Sequence, residues 1–153
     1  DNLDSHINNF WYDILEKKIL TNFEKTKKPY VIYLNGDLGA GKTTWSRALL
    51  RMLGVKGTVK SPTFNYVIEY EIDNQAIELV YHFDLYRLES IDANTFFELG
   101  LDEPFSNSLG NPALCIIEWA DKGKGVLPNA DLIIDFDLDL KNESSRLISY
   151  KFC

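Results

Sequence analysis

Apolar residues recur at helical spacing near the start of the chain, at Ile7, Phe10, Trp11, Ile14, Leu15 and Ile19. The spacing predicts an amphipathic helix over about residues 5–24, capped by Asp4 or Ser5. Pro29 ends the loop that follows. The period then changes. Tyr30-Val31-Ile32-Tyr33-Leu34 is an unbroken apolar run and reads as a buried strand. A helical pattern returns from Thr44 to Leu53 and stops at Gly54. Two glycines and a proline between Gly54 and Pro62 predict a loop. Two β-rich runs, Phe64 to Ile72 and Ala76 to Leu85, flank Asp73-Asn74-Gln75 and predict a hairpin. Asp92 to Leu99 predicts a short helix ended by Gly100. A polar loop, Ser106 to Pro112, leads into Ala113-Leu114-Cys115-Ile116-Ile117, a second buried strand. Gly123, Gly125 and Pro128 mark another loop. Leu132 to Leu140 and Leu147 to Phe152 predict closing strands, joined by Lys141-Asn142-Glu143.

Strands alternating with helices imply an α/β layered fold, and the inserted hairpin makes its sheet mixed. No repeat, low-complexity tract or linker divides residues 1–153, so a single domain is expected. With 45% hydrophobic and 25% charged residues, the composition is that of a globular chain. No apolar stretch approaches a membrane span, and the first residues lack the pattern of a signal peptide. Cys115 and Cys153 offer neither a disulfide framework nor metal-ligand spacing. Cys115 lies in an apolar run and reads as a buried hydrophobe. A cytoplasmic location is expected. The net charge of −7 argues against unaided binding to a nucleic-acid backbone. Lys17, Lys18, Lys25, Lys27 and Lys28 form a local basic group that reads as a solvated helix end and loop.

The most informative stretch is Gly36-Asp37-Leu38-Gly39-Ala40-Gly41-Lys42-Thr43, which has the form G-x-x-x-x-G-K-[ST]. It sits between a predicted strand and a predicted helix, the context that makes this motif a phosphate-binding loop. Glycines allow the chain to wrap closely around phosphate, with amides pointing inward at a helix N-terminus. Residues Leu38, Gly39, Ala40, Gly41, Lys42, Thr43 and Thr44 are the expected contacts to a nucleoside triphosphate. Lys42 reaches the β- and γ-phosphates, and the Thr43 hydroxyl holds Mg²⁺. Asp37 is out of place in an anion site and is expected to point outward.

Hydrolysis needs further groups. The run Ala113 to Ile117 ends in Glu118-Trp119-Ala120-Asp121, which puts Glu118 in the position of a strand-end acid for Mg²⁺. In His82-Phe83-Asp84-Leu85-Tyr86-Arg87, strand alternation places His82, Asp84 and Tyr86 on one face, as part of a site or as a half-exposed hairpin face. Arg87 could stabilise phosphate charge, but pairing with Asp84 or Glu89 is the preferred reading. Thr63, in Ser61-Pro62-Thr63-Phe64, could sense a γ-phosphate or simply enter a strand. Asp131, Asp135, Asp137 and Asp139 share one strand face and read as a solvated acidic edge.

Taken together, the glycine loop, Lys60-Ser61-Pro62-Thr63-Phe64, His82-Phe83-Asp84-Leu85-Tyr86-Arg87-Leu88, Ile117-Glu118-Trp119-Ala120-Asp121 and Gly125-Val126-Leu127-Pro128 resemble the TsaE family (formerly YjeE) in order and spacing. The resemblance spans roughly residues 30 to 128. It implies a P-loop NTPase fold, a three-layer sandwich with a mixed sheet and an inserted β-hairpin. It also implies a bacterial ATPase of tRNA threonylcarbamoyladenosine synthesis. On that resemblance ATP lies in the P-loop, Mg²⁺ is held by Thr43 and Glu118, and Asp84 is needed for activity; with Lys42 from the loop motif, Asp84 and Glu118 are the expected catalytic residues. The implied partners are the TsaB and TsaD proteins, with tRNA reached through them.

Two other classes are tested by what the chain lacks. A small-molecule kinase usually needs an arginine-rich lid. The chain has four arginines, Arg47, Arg51, Arg87 and Arg146, and two of them sit on the P-loop helix. A GTP switch would carry an [NT]-K-x-D guanine motif, which is absent.

Overall fold

The computed structural model describes residues 2–59, 66–89, 91–106, 110–141 and 146–153. Its elements in chain order are α1 (Asn2–Phe10), a π-helical turn (Trp11–Leu15), α2 (Glu16–Thr26), β1 (Tyr30–Asn35), α3 (Lys42–Leu53), β2 (Val55–Val59), β3 (Val67–Ile72) and β4 (Leu79–Asp84). They continue with α4 (Ala93–Glu98), α5 (Glu103–Ser106), β5 (Ala113–Glu118), a 3₁₀ turn (Ala120–Gly123), β6 (Leu132–Leu138) and β7 (Arg146–Phe152).

The N-terminal helix begins earlier than the sequence suggests, so Asp4 lies inside it. Instead of capping, Asp4 receives a 3.0 Å hydrogen bond from Arg51 of α3. Ile7, Trp11, Leu15 and Ile19 are fully buried at intervals of four. A four-residue stripe drifts around an ideal 3.6-residue helix. The wider π turn offsets that drift and keeps the stripe on the sheet. Ile14, counted with the stripe from spacing alone, is turned partly to solvent as a result. Lys27 ends α2 in a left-handed conformation, with its amide donating to Phe23 O at 2.9 Å.

Among the described residues, seven strands form one sheet in the order β2-β3-β4-β5-β1-β6-β7. The centre, β4-β5-β1-β6, is parallel, and both wings are antiparallel. The predicted hairpin is present as β3–β4. The predicted loop after Gly54 is instead β2, which extends the hairpin into a three-stranded meander. Its sequence, Val-Lys-Gly-Thr-Val, alternates too briefly around Gly57 to signal a strand, and pairing with β3 supplies the missing definition. The closing strands end close to prediction, and their connector at residues 142–145 lies outside the described residues.

Helices α1, α2 and α3 cover one sheet face, closing a core around Trp11, Trp45, Ile32, Leu34, Ile116 and Ile134. Helices α4 and α5 and the 3₁₀ turn cover the other, around Phe83, Leu85, Phe96, Cys115 and Ile117. This is the expected three-layer sandwich. Cys115 is fully buried, as its apolar run implied, and burial pushes its thiol well above the usual range. The acidic series on β6 is not at a sheet edge, because β7 pairs along the whole outer side of β6. Asp131 has a structural task there: its Oδ2 accepts Val31 N at 2.8 Å. Among the described residues, no helix is long and apolar enough to cross a membrane.

Candidate functional site

Parallel pairing fixes where the site forms. In the register, Glu118 at the end of β5 lies beside Leu34 of β1 and beside Asp84 of β4. The glycine loop leaves β1 at the same carboxyl end, where open α/β sheets bind ligands. The loop residues 38–44, Asp84, Tyr86, Glu118 and Trp119 line one cavity of about 220 Å³.

The loop takes its shape from glycine. Gly36 has φ +155°, and a Cβ there would stand 2.8 Å from Phe136 O of β6. Gly41, at φ +103°, is the residue before α3 and turns the chain into the helix. Asp37 is exposed, as expected, and its carbonyl accepts Ala40 N at 3.0 Å.

Lys42 is buried at the first turn of α3. Its ammonium donates to Gly36 O and lies 3.8 Å from the centre of the Trp119 ring. Burial pulls its pKa down, while Glu118, Asp84, Asp37 and Asp121 oppose that shift through their charge. The Thr43 hydroxyl donates toward both Glu118 oxygens, at 3.2 Å to Oε1 and 3.4 Å to Oε2. Glu118 is buried and also receives a 2.6 Å contact at Oε2 from His82 Nε2. Asp84 faces solvent, with Oδ1 accepting Tyr86 N at 3.1 Å.

The two carboxylates are therefore adjacent but unlike. Glu118 is enclosed and fixed from two sides, whereas Asp84 stands at the open rim. A hydroxyl and a carboxylate oxygen are hard donors suited to Mg²⁺, which keeps water and phosphate oxygens as its other ligands. Among the described residues no three His, Cys, Asp or Glu side chains cluster as a metal cage. The donor set fits a metal shared with a phosphate ligand.

The family described as "Threonylcarbamoyl adenosine biosynthesis protein TsaE" matches residues 14–148. The chain belongs to the TsaE family. It is 46% identical over 112 residues to a tRNA threonylcarbamoyladenosine biosynthesis protein TsaE of Haemophilus influenzae, covering 73% of this chain and 65% of that one. It is 36% identical over 143 residues to the TsaE protein of Rickettsia felis, covering 86% and 77%. The chain thus spans just under two thirds of the Haemophilus relative and more of the rickettsial one. Among solved structures it resembles Bacillus YdiB, with a TM-score of 0.56 and 31% identity, covering 90% of this chain and 78% of that one. The family match extends past both ends of the stretch that the motifs alone marked out.

In this TsaE-family chain the structure brings together Lys42, Thr43, Glu118 and Asp84, four of the residues singled out from the sequence, with the rest of the loop 38–44. Tyr86 lies past the end of β4 rather than on its face, yet lines the same cavity and packs against Trp119 at 5.0 Å between ring centres. Arg87 is exposed and, among the described residues, makes no ion pair with Asp84 or Glu89. The turn after β4 carries its side chain outward. Thr63 and its loop lie outside the described residues.

Two features escaped the sequence reading. Trp119 sits at φ +63°, unusual for a bulky residue, and this backbone swings the indole over Lys42. Arg146, at the start of β7, donates to Gly39 O at 3.2 Å and so contacts the glycine loop from the far wing of the sheet. Neither has a local signal: one depends on a backbone angle, the other on a pairing across 107 positions.

Proposed function

We propose that this chain binds ATP with Mg²⁺ and hydrolyses it slowly, as an accessory ATPase of N6-threonylcarbamoyladenosine synthesis on tRNA that acts with TsaB and TsaD. The observation that carries this reading is the convergence of Lys42, Thr43, Glu118 and Asp84 on one glycine-lined cavity. The cavity is smaller than the roughly 300–1,000 Å³ usual for whole cofactors, so it suits the phosphate chain, with the base lying beyond these residues.

The loop amides at residues 38–44 and the α3 N-terminus bind phosphate oxygens. Lys42 exchanges its contacts with Gly36 and Trp119 for the β- and γ-phosphates. Thr43 and Glu118 would hold Mg²⁺, which supplies charge neutralisation on the phosphate oxygens when bound. Asp84, exposed at the rim and beside Glu118, would orient the attacking water.

Among the described residues no arginine lines this cavity, and Arg146 bonds the Gly39 carbonyl of the loop at 3.2 Å. A site without a free transition-state cation binds ATP better than it turns it over, because only interactions gained in the transition state speed the reaction. Partner docking supplies what is missing. The acidic net charge makes the partners, rather than this chain, the surface for tRNA. The expected compartment is the cytoplasm. The test is steady-state ATP hydrolysis with and without purified TsaB and TsaD. A rate raised by the partners is expected; equal rates with no detectable complex would refute the proposal.

A further inference from the structure

We infer that His82 is a positioning residue that holds the Glu118 carboxylate for the metal and keeps it away from Lys42. This rests on the proposed reading of Glu118 as a Mg²⁺ ligand. His82 lies on β4, two residues before Asp84, and its ring nitrogen meets Glu118 Oε2 at 2.6 Å. Both side chains are nearly enclosed, with 12% and 4% of their surfaces exposed.

Burying a carboxylate is costly unless it is bonded. Glu118 has two candidate partners besides Thr43. One is His82. The other is Lys42, on whose ammonium Glu118 exerts the largest favourable charge effect. Lys42 and Glu118 nevertheless form no ion pair; Lys42 bonds Gly36 O and faces Trp119 instead. The His82 ring therefore does two things. It bonds Oε2 at 2.6 Å, closer than Thr43 does at 3.4 Å, so that Oε1, 3.2 Å from Thr43 Oγ1, is the oxygen that would be offered to the metal. It also satisfies the buried charge from β4, which flanks β5 on the other side from β1 and its glycine loop, so Lys42 stays available for phosphate. A neutral imidazole with its proton on Nε2 suffices, so the role needs no change of charge.

Groups that orient a metal ligand from behind typically change metal affinity by about 10–100-fold when removed. The experiment is binding of a fluorescent ATP analogue at a series of Mg²⁺ concentrations and in EDTA. His82→Leu should raise the Mg²⁺ concentration for half-maximal effect at least about 10-fold. It should also weaken metal-free nucleotide binding, because Glu118 turns to Lys42. His82→Gln, whose amide can donate to Oε2, should restore most of both. In a Glu118→Gln background, His82→Leu should add nothing further. A His82→Leu protein with wild-type Mg²⁺ dependence would overturn the inference, leaving His82 a packing residue. Should that variant not fold, nitrogen-resolved NMR of the wild-type ring decides: a proton on Nε2 is expected, and a bare Nε2 overturns the role. If the wild type itself shows no Mg²⁺-linked binding, the failure lies instead with the reading of Glu118 as a metal ligand.

Discussion

Replacing Lys42 by Met tests the centre of the proposed site, because the structure sets both the loss and the background. In the free chain the ammonium is not idle: it bonds Gly36 O and lies on the Trp119 ring. ATP must offer more than these contacts. Charged hydrogen bonds contribute about 1.5–3 kcal/mol net, which corresponds to a loss in affinity of roughly 10- to 150-fold. The fold should not suffer. Burial lowers the Lys42 pKa, so the charged form is disfavoured in the folded state, and a neutral side chain of similar length removes that cost. The assay is thermal melting with and without ATP and Mg²⁺. At a ligand concentration 100 times the wild-type Kd, protection of the wild type is about 2.7 kcal/mol. The same concentration leaves the variant only about 0.3–1.4 kcal/mol. For a domain of this size each kcal/mol moves Tm by about 2–4 °C, so the difference is readily measured. The unliganded variant should melt at or slightly above the wild-type temperature. Equal protection of both proteins would refute the placement of phosphate at Lys42.

Glu118→Gln and Asp84→Asn should each keep measurable nucleotide binding in the melting assay, weakened in Glu118→Gln by the lost metal ligand, while hydrolysis falls by at least about 100-fold, the scale of a lost acid–base or positioning group; a wild-type rate in either variant makes that residue structural. Glu69 on β3 is pushed up by burial and by the neighbouring Glu71, against a hydrogen bond from Tyr81 that lowers it. A raised carboxyl pKa means that the folded state loses stability as pH climbs through that raised value. Glu69→Gln should therefore melt higher than wild type at pH 7, with the difference vanishing below the ordinary carboxyl range; a gap independent of pH would contradict the assignment. Phe83, fully buried and stacked 5.2 Å from Phe105, should cost about 3–5 kcal/mol as Phe83→Ala, measured by urea unfolding, without moving the residues of the cavity.

The sequence was most legible where a physical requirement is local. The glycine loop needs its glycines, β1 and β5 need unbroken apolar runs because both faces are covered, and the short helix read over Asp92 to Leu99 is α4, Ala93–Glu98. The place of Glu118 at the cavity was legible because it closes an apolar strand that runs beside β1. The misses are matters of partnership. β2 exists because β3 is beside it. Asp4 looks like a cap until Arg51 claims it. The acidic strand looks like an edge until β7 covers it. The His82–Glu118 contact joins residues 36 positions apart, and alternation alone could place His82 on the right face without naming its partner.

The charge around the cavity gives the arrangement its logic. Lys42 feels four carboxylates, Glu118, Asp84, Asp37 and Asp121, and is the cation that lines the cavity among the described residues. Their sum is negative before any anion enters, so a bare triphosphate would meet repulsion that loop amides only partly offset. The unequal treatment of the acids eases this. Asp37 and Asp121 are exposed and screened by water, and Asp84 is at the rim. Glu118 alone is buried, where its charge is least screened, and there both Thr43 and His82 bond it. On the proposed reading the enclosed acid is the one that would hold Mg²⁺, since it is the acid that Thr43 bonds. On the proposed reading, phosphate and metal enter together because neither sign of charge is satisfied by this site alone.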